Sequence, residues 1–166
     1  MIVRPFELGD APVLAQIFYR AIHEVARAHY SDEQVNAWAP TVPAAERFIA
    51  RGTDGRTLLV AIDDDGDPVA YGDVEANGHI DHIFCKPEAA GSGVAAVLYD
   101  ALEGAARARG IERLYVEASE PAQRFFLKRG FTTIERNDFV LNGVANHNFR
   151  MEKNLSLGAQ WMPLDI

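Results

Sequence analysis

Around Gly91-Ser92-Gly93 the apolar period of this chain changes from strand-like to helical, and few folds accommodate that change in that order. Upstream lie β-rich runs separated by turn signals. Thr57 to Ile62 is followed by Asp63-Asp64-Asp65-Gly66-Asp67, then Pro68 to Val74, then Asn77-Gly78, then His79 to Cys85. This predicts an antiparallel meander with no helix inside it. Downstream, Val94, Val97, Leu98, Ala101, Leu102 and Ala105 fall on one helical stripe, and Gly110 stands where a glycine ends a helix. Leu114 to Ala118 reads as a short buried strand. The unit from about 79 to 118 is then a strand, helix and strand, which requires a parallel pair with a right-handed crossover.

The flanks complete the pattern. Residues 2–5 read as a short strand. Leu14, Ile17, Phe18, Ala21, Ile22 and Val25 form a helical stripe that fades near His29-Tyr30. Ser31-Asp32-Glu33-Gln34 has capping-box spacing, so a second short helix starts there and reaches Trp38. Ala44 to Arg51 reads as a third helix, closed off by Gly52 and Gly55. Pro121 suits the first turn of a later helix that Gly130 ends. Thr132 to Leu141 and Ala145 to Lys153 form a closing pair around Asn142-Gly143. The expected fold class is mixed α/β (α+β), a mostly antiparallel central sheet with flanking helices. Residues 1–153 are expected to be a single domain and 154–166 a tail, with Trp161 and Met162 docking on the domain or on a second subunit; a homodimer is one expectation.

A chain of 166 residues with 48% apolar side chains is long enough for one domain with a substantial core. No apolar run approaches the length of a membrane span. The segment Met1-Ile2-Val3-Arg4-Pro5-Phe6 lacks the basic then apolar pattern of a secretory signal, so a cytoplasmic location is expected. Cys85 is the single cysteine, which rules out an intrachain disulfide and reads as a buried apolar residue. A formal net charge of −8 repels phosphate backbones, so nucleic acid is not an expected partner, whereas a cationic amine is compatible. No metal is expected.

The loop Lys86 to Ala96 joins a strand to the best helix of the chain. Its glycines permit a tight turn and a close backbone approach, and the first N–H groups of the helix have no internal partner. Such a site suits phosphate. A Walker loop needs Gly-Lys followed by Ser or Thr, which is absent. Gly91-Ser92-Gly93-Val94-Ala95-Ala96 does read as the dinucleotide pattern G-x-G-x-x-A, with Glu117 at the end of the next strand as a ribose-binding acid. Against that, five residues separate the strand end from Gly91, and the preceding sequence is a meander.

Ala90-Gly91-Ser92-Gly93-Val94-Ala95 resembles the Q/R-x-x-G-x-G/A pyrophosphate loop of the GNAT N-acetyltransferases. Ala122-Gln123-Arg124-Phe125-Phe126-Leu127-Lys128-Arg129-Gly130-Phe131 is similar to their A-x-x-F-Y-x-K-x-G-F segment, and His29 to Trp38 resembles a bacterial branch called YafP-like. The resemblance covers about residues 2–153. It implies acetyl-CoA as co-substrate and a small-molecule or peptide amine as acceptor. It places the pantetheine arm along Ile83, Phe84 and Cys85, the pyrophosphate on the amides of Gly91 to Ala96, and Phe125 and Phe126 beside the coenzyme. The strands carrying Cys85 and Glu117 would splay apart around the thioester, with the N–H of Ile83 or Phe84 polarising its carbonyl.

Two departures from the family pattern stand out. Ala90 replaces the usual Gln or Arg, with the Ser92 hydroxyl as a partial substitute. Phe126 replaces a Tyr that often protonates the leaving thiolate. These substitutions keep a non-catalytic acyl-CoA binder open as an alternative to the enzyme. Asp81, where relatives often carry Glu, is the expected general base, with His82 a second choice. Tyr30 is a candidate for proton transfer. His29, Trp38, Glu75 and Glu117 are candidate substrate contacts, and His147 and Asn148 are expected to border the pocket.

Overall fold

A computed structural model describes residues 1–156; Trp161, Met162 and the rest of the expected tail lie outside the described residues. Two four-stranded sheets carry the fold. The first is built from β1 (Ile2–Pro5), β2 (Thr57–Ile62), β3 (Pro68–Val74) and β5 (Ile83–Cys85), side by side in that order and antiparallel throughout. In the second, β4 (His79–Ile80) lies parallel to β6 (Arg113–Ala118), which pairs with β8 (Val144–Asn154) and through it with β7 (Thr132–Leu141).

The strand expected over 79–85 is therefore divided. His79 and Ile80 pair with β6, Asp81 and His82 form a step, and Ile83 to Cys85 pair with β3. A single strand cannot serve both partners because the two sheets diverge here. The parallel unit expected over residues 79–118 is present, with α4 (Val94–Ala108) as its crossover.

The first sheet has helices on both faces, so its strands are apolar on both sides. On one face Ala61, Val69 and Ala70 meet Leu98 and Leu102 of α4, in a core continuous with Val116, Phe126 and Met151 of the second sheet's side. On the other face Leu58, Val60 and Tyr71 meet Leu14, Ile17 and Phe18 of α1 (Ala11–Arg20) and Phe48 of α3 (Ala45–Thr53).

Local signals explain the remaining elements. The helix expected to run unbroken from residue 10 past Val25 keeps α-geometry only to Arg20; a wider π turn follows over Ala21–Val25 and a 3-10 turn over Ala26–Ala28. The capping box opens α2 (Asp32–Trp38): Gln34 N–H donates to Ser31 Oγ at 3.1 Å, and Ser31 N–H donates to Gln34 Oε1 at 2.9 Å. In the β7–β8 turn, Asn142 adopts φ 49° and Gly143 φ 79°, and Asn142 Nδ2 donates to the Ala37 carbonyl at 2.7 Å. That bond ties the hairpin to the end of α2. Pro121 lies in the first turn of α5 (Glu120–Lys128). Past β8, Leu155 is buried, and its N–H donates to the Glu112 carbonyl at 2.8 Å. No helix among the described residues is long and apolar enough to cross a membrane.

Candidate active site

The step at Asp81-His82 opens a gap between β5 and β6. A slot of about 90 Å³ lies there, walled by Ile83, Phe84, Val116, Ala118, Ala122 and Phe126. Trp38, Asp81, Phe84, Glu117 and Ser119 border both this slot and a larger cavity of about 380 Å³. The cavity adds Phe18, Tyr30 and His82 from one side, His79 from β4, and Phe139, Leu141 and Asn146 to Asn148 from the last hairpin. The fold thus joins a narrow apolar channel to a wider chamber with charged walls.

The chamber contains two histidine–carboxylate groups. His79 Nδ1 lies 2.8 Å from Glu75 Oε1, and its Nε2 lies 2.5 Å from Glu117 Oε2. The hydrogen bond to Glu117 raises the His79 pKa to about 9 against the opposing effect of burial, so the ring is cationic at neutral pH. The same bond holds the Glu117 carboxyl below its usual range. Glu75 does not line the chamber; it borders an outer hollow with Arg56, Asn77 and Arg109. On the opposite wall His147 Nε2 lies 2.6 Å from Glu120 Oε2. Glu120 begins α5, and its main-chain N–H donates to Tyr30 Oη at 2.7 Å. Burial raises the Tyr30 pKa, the Glu120 amide opposes that shift, and the phenol stays protonated.

Asp81 is half engaged. Its Oδ2 lies 2.6 Å from Arg51 Nη2 and 3.6 Å from Arg56 Nη1. Burial pushes its pKa up, but the hydrogen bond from Arg51 and the positive charges of Arg51 and His79 draw it down, and the carboxyl is held low. His82 stacks on Phe18 with centroids 5.2 Å apart, and its Nδ1 is 2.9 Å from Tyr71 Oη. Burial and the nearby Arg51 push its pKa down to about 4, so the ring is neutral at neutral pH.

The loop before α4 has two glycines in the left-handed region, Gly91 at φ 76° and Gly93 at φ 88°, and a Cβ built on either would meet nothing within 4 Å. The outer face of the loop is open. The first main-chain bond entering α4 runs from Val97 N–H to the Gly93 carbonyl at 3.2 Å, which leaves the N–H groups of Val94, Ala95 and Ala96 as the helix's free donors. The residues present therefore fit a pyrophosphate. Ala90 is exposed and contributes no side-chain donor. The Ser92 hydroxyl proton goes to the Ala89 carbonyl at 2.6 Å, so it does not replace the missing polar side chain. Phe126 is buried against Tyr99, Phe125 and Phe131. Burial pushes the half-buried Cys85 thiol up to about 11, leaving it a poor nucleophile.

Of the residues singled out from sequence, Tyr30, Trp38, Asp81, His82, Phe84 and Glu117 meet at the cavity, with His147 and Asn148 on its rim. His29 is exposed and lies outside it. Sequence reasoning passed over His79, Ser119, Glu120 and Phe139. A β-strand period marks His79 only as alternating, and nothing local announces its carboxylate partners 4 and 38 positions away.

The sequence pattern of the family described as the acetyltransferase (GNAT) domain matches residues 26–153. The chain is 30% identical over 149 residues to the N-acetyltransferase YafP of Escherichia coli K12, covering 90% of this chain and 93% of that one. Among solved structures, a GCN5-related N-acetyltransferase of Rhodopseudomonas palustris superposes with a TM-score of 0.84 at 38% identity, over 93% of this chain and 95% of that one. A phosphinothricin acetyltransferase of Sinorhizobium meliloti, solved with acetyl-CoA, shares the fold at 18% identity and a TM-score of 0.76, over 99% and 93% of the two chains. On the matched domain, the extent of the sequence identity and the splayed strands, the chain belongs to the GNAT acetyltransferase family.

Proposed function

We propose that the protein transfers the acetyl group of acetyl-CoA to a primary amine by direct attack. The observation that carries this reading is the slot between β5 and β6, which shares Trp38, Asp81, Phe84, Glu117 and Ser119 with the charged cavity. When bound, acetyl-CoA supplies a thioester whose carbonyl carbon is open to attack and whose thiolate can leave. The backbone of Ile83 to Cys85 holds the pantetheine arm, and the amides of Gly91 to Ala96 hold the pyrophosphate. A main-chain N–H at Ile83 or Phe84 steadies the charge that develops on the carbonyl oxygen.

In this reading Asp81 and Glu117, both kept ionised by their cationic neighbours, draw the acceptor's ammonium group to the junction of slot and cavity. Glu120 engages His147 at Nε2, where a carboxylate needs an N–H donor, which leaves Nδ1 as the nitrogen that faces the acceptor. His147 takes one proton from the ammonium, which frees the amine to attack. As the C–N bond forms and the C–S bond breaks, the second proton that nitrogen sheds replaces the one Tyr30 gives to the thiolate. Tyr30 has an oxygen that accepts from Glu120, leaving its own O–H proton for the departing thiolate. That assigns to Tyr30 the role that Phe126 is chemically unable to fill. Placement of the two reactants in adjoining chambers supplies much of the rate.

The test is thermal unfolding with acetyl-CoA, coenzyme A and NAD(P)H in separate samples, followed by free-thiol release with an amine panel. A ligand at about 100 times its dissociation constant stabilises by roughly 2.7 kcal/mol. Stabilisation by the coenzyme A ligands together with amine-dependent thiol release is expected. Stabilisation by NAD(P)H alone would overturn the reading.

A further inference from the structure

The walls of the acceptor cavity are unequal in charge. Asp81 and Glu117 face it, and among the described residues that line it there is no lysine or arginine. The nearest guanidinium groups are already engaged. Arg51 is bound to Asp73 and Asp81 at 2.6 Å each, and Arg56 is bound to Asp54 at 2.7 Å and to Asp73 at 3.1 Å. The imidazole of His79 lies between Glu75 and Glu117, so that trio keeps a net negative charge even with the ring protonated. The second histidine, His147, faces Glu120. Besides the uncharged polar Ser119, Asn146 and Asn148, the rest of the lining is mainly aromatic or aliphatic, with Phe18, Tyr30, Trp38, Phe84, Phe139 and Leu141.

From this wall chemistry, and resting on the acetyl-transfer reading above, we infer that the acceptor is a small primary amine with an apolar body and no acid group. The carboxylates receive the ammonium. The aromatic wall receives a body of a size that fits a cavity of about 380 Å³. An acceptor that also carries a carboxylate or a phosphonate would bring that anion beside Asp81 and Glu117, where the one cationic ring, His79, is already held by Glu75 and Glu117. Its desolvation would go uncompensated, and the like charges would repel. Amino acids used as free acids are thereby selected against, whereas their decarboxylated or amidated forms are accepted.

The experiment uses the full-length protein with acetyl-CoA and three acceptors of matched body: phenethylamine, phenylalaninamide and phenylalanine. Spermidine and lysine serve as acceptors without an aromatic body. Free-thiol release gives kcat/KM, and thermal unfolding with acetyl-CoA is read separately. Phenethylamine and phenylalaninamide are expected to turn over, with phenylalanine lower by about 100-fold, the scale at which an unmatched charge is rejected. Asn148→Arg, which places a cation on the cavity wall, is expected to raise the rate with phenylalanine and lower that with phenethylamine. Phenylalanine turning over within threefold of phenylalaninamide would sink the inference. So would turnover of spermidine or lysine with none of the aromatic amines, or an acetyl-CoA shift with no turnover of any probe. If acetyl-CoA gives no shift and no acceptor releases thiol, the acetyl-transfer reading itself fails, which is a distinguishable result.

Discussion

Asp73 Oδ1 accepts the main-chain N–H of His82 at 3.0 Å, and this bond lies where the chain passes from one sheet to the other. The same oxygen accepts the N–H of Asp81 at 3.2 Å, while Oδ2 receives Arg51 and Arg56. Asp73 is fully buried. One carboxylate therefore satisfies the two amides that the divided strand would otherwise leave without a ladder partner, and two arginines balance its charge. The slot between β5 and β6 opens at this step.

Removing that carboxylate leaves two amides and two guanidinium groups facing an empty site. Asp73→Ala is expected to destabilise the fold by about 3–5 kcal/mol, the usual cost of breaking a buried ion pair. Urea unfolding measures it. The affinity for acetyl-CoA should fall along with stability, since the slot loses its brace; a variant with unchanged affinity would show that the step stands without Asp73.

The loop glycines separate binding from folding. Gly93 has φ 88° and open space around its Cβ position, so Gly93→Asp adds local strain of about 1–2 kcal/mol and a carboxylate at the mouth of α4. Acetyl-CoA affinity measured by titration calorimetry should drop by at least about 30-fold, through repulsion of the pyrophosphate. Equal affinity in the variant would mean the phosphates bind elsewhere.

Two groups compete for the role of base, and they predict different kinetics. His147→Gln is expected to lower kcat by about 100-fold or more and to flatten its pH profile, as loss of a general base does. Asp81→Asn is expected to act mainly on the KM for the amine, because the Asp81 carboxyl is already held ionised by Arg51. The reverse pattern, with kcat and the pH profile lost in the Asp81 variant, would return the base role to Asp81.

Tyr30→Phe removes the proposed proton donor and the acceptor for the Glu120 amide. The lost hydrogen bond should lower stability by about 1 kcal/mol. Steady-state kinetics should show kcat down by about tenfold to a hundredfold at an unchanged KM for acetyl-CoA. An unchanged kcat would leave thiolate protonation to solvent.

His79 links stability to pH. Its pKa rises from the unfolded value of 6.5 to about 9 on folding, so the folded state binds the proton more tightly. Its contribution is then full below pH about 6.5 and fades as pH rises through about 9. Comparing urea unfolding at pH 6 and pH 9.5, wild type should lose about 2 kcal/mol more than His79→Gln. Equal losses would mean that Glu75 and Glu117 do not hold the proton there.

The sequence by itself determined the order of the elements, because each is announced by neighbours a few positions away. The stripe from Val94 to Ala105, the Ser31–Gln34 capping box and the Asn142-Gly143 turn are local signals, and local burial and backbone preference are what they report. The glycine loop was legible for the same reason, since positive φ leaves its trace in residue type. Only the tertiary structure decided the rest. A run such as His79 to Cys85 is strand-like whether it pairs with one sheet or two, so its division at Asp81-His82 depends on the distant Asp73 carboxylate and on where β3 and β6 lie. Tyr30 and Glu120 are 90 positions apart, and His147 and Glu120 are 27 apart. No period in the chain encodes such a meeting; it arises when helices and sheets pack to bury their apolar faces, and that packing sets which polar groups share the cavity.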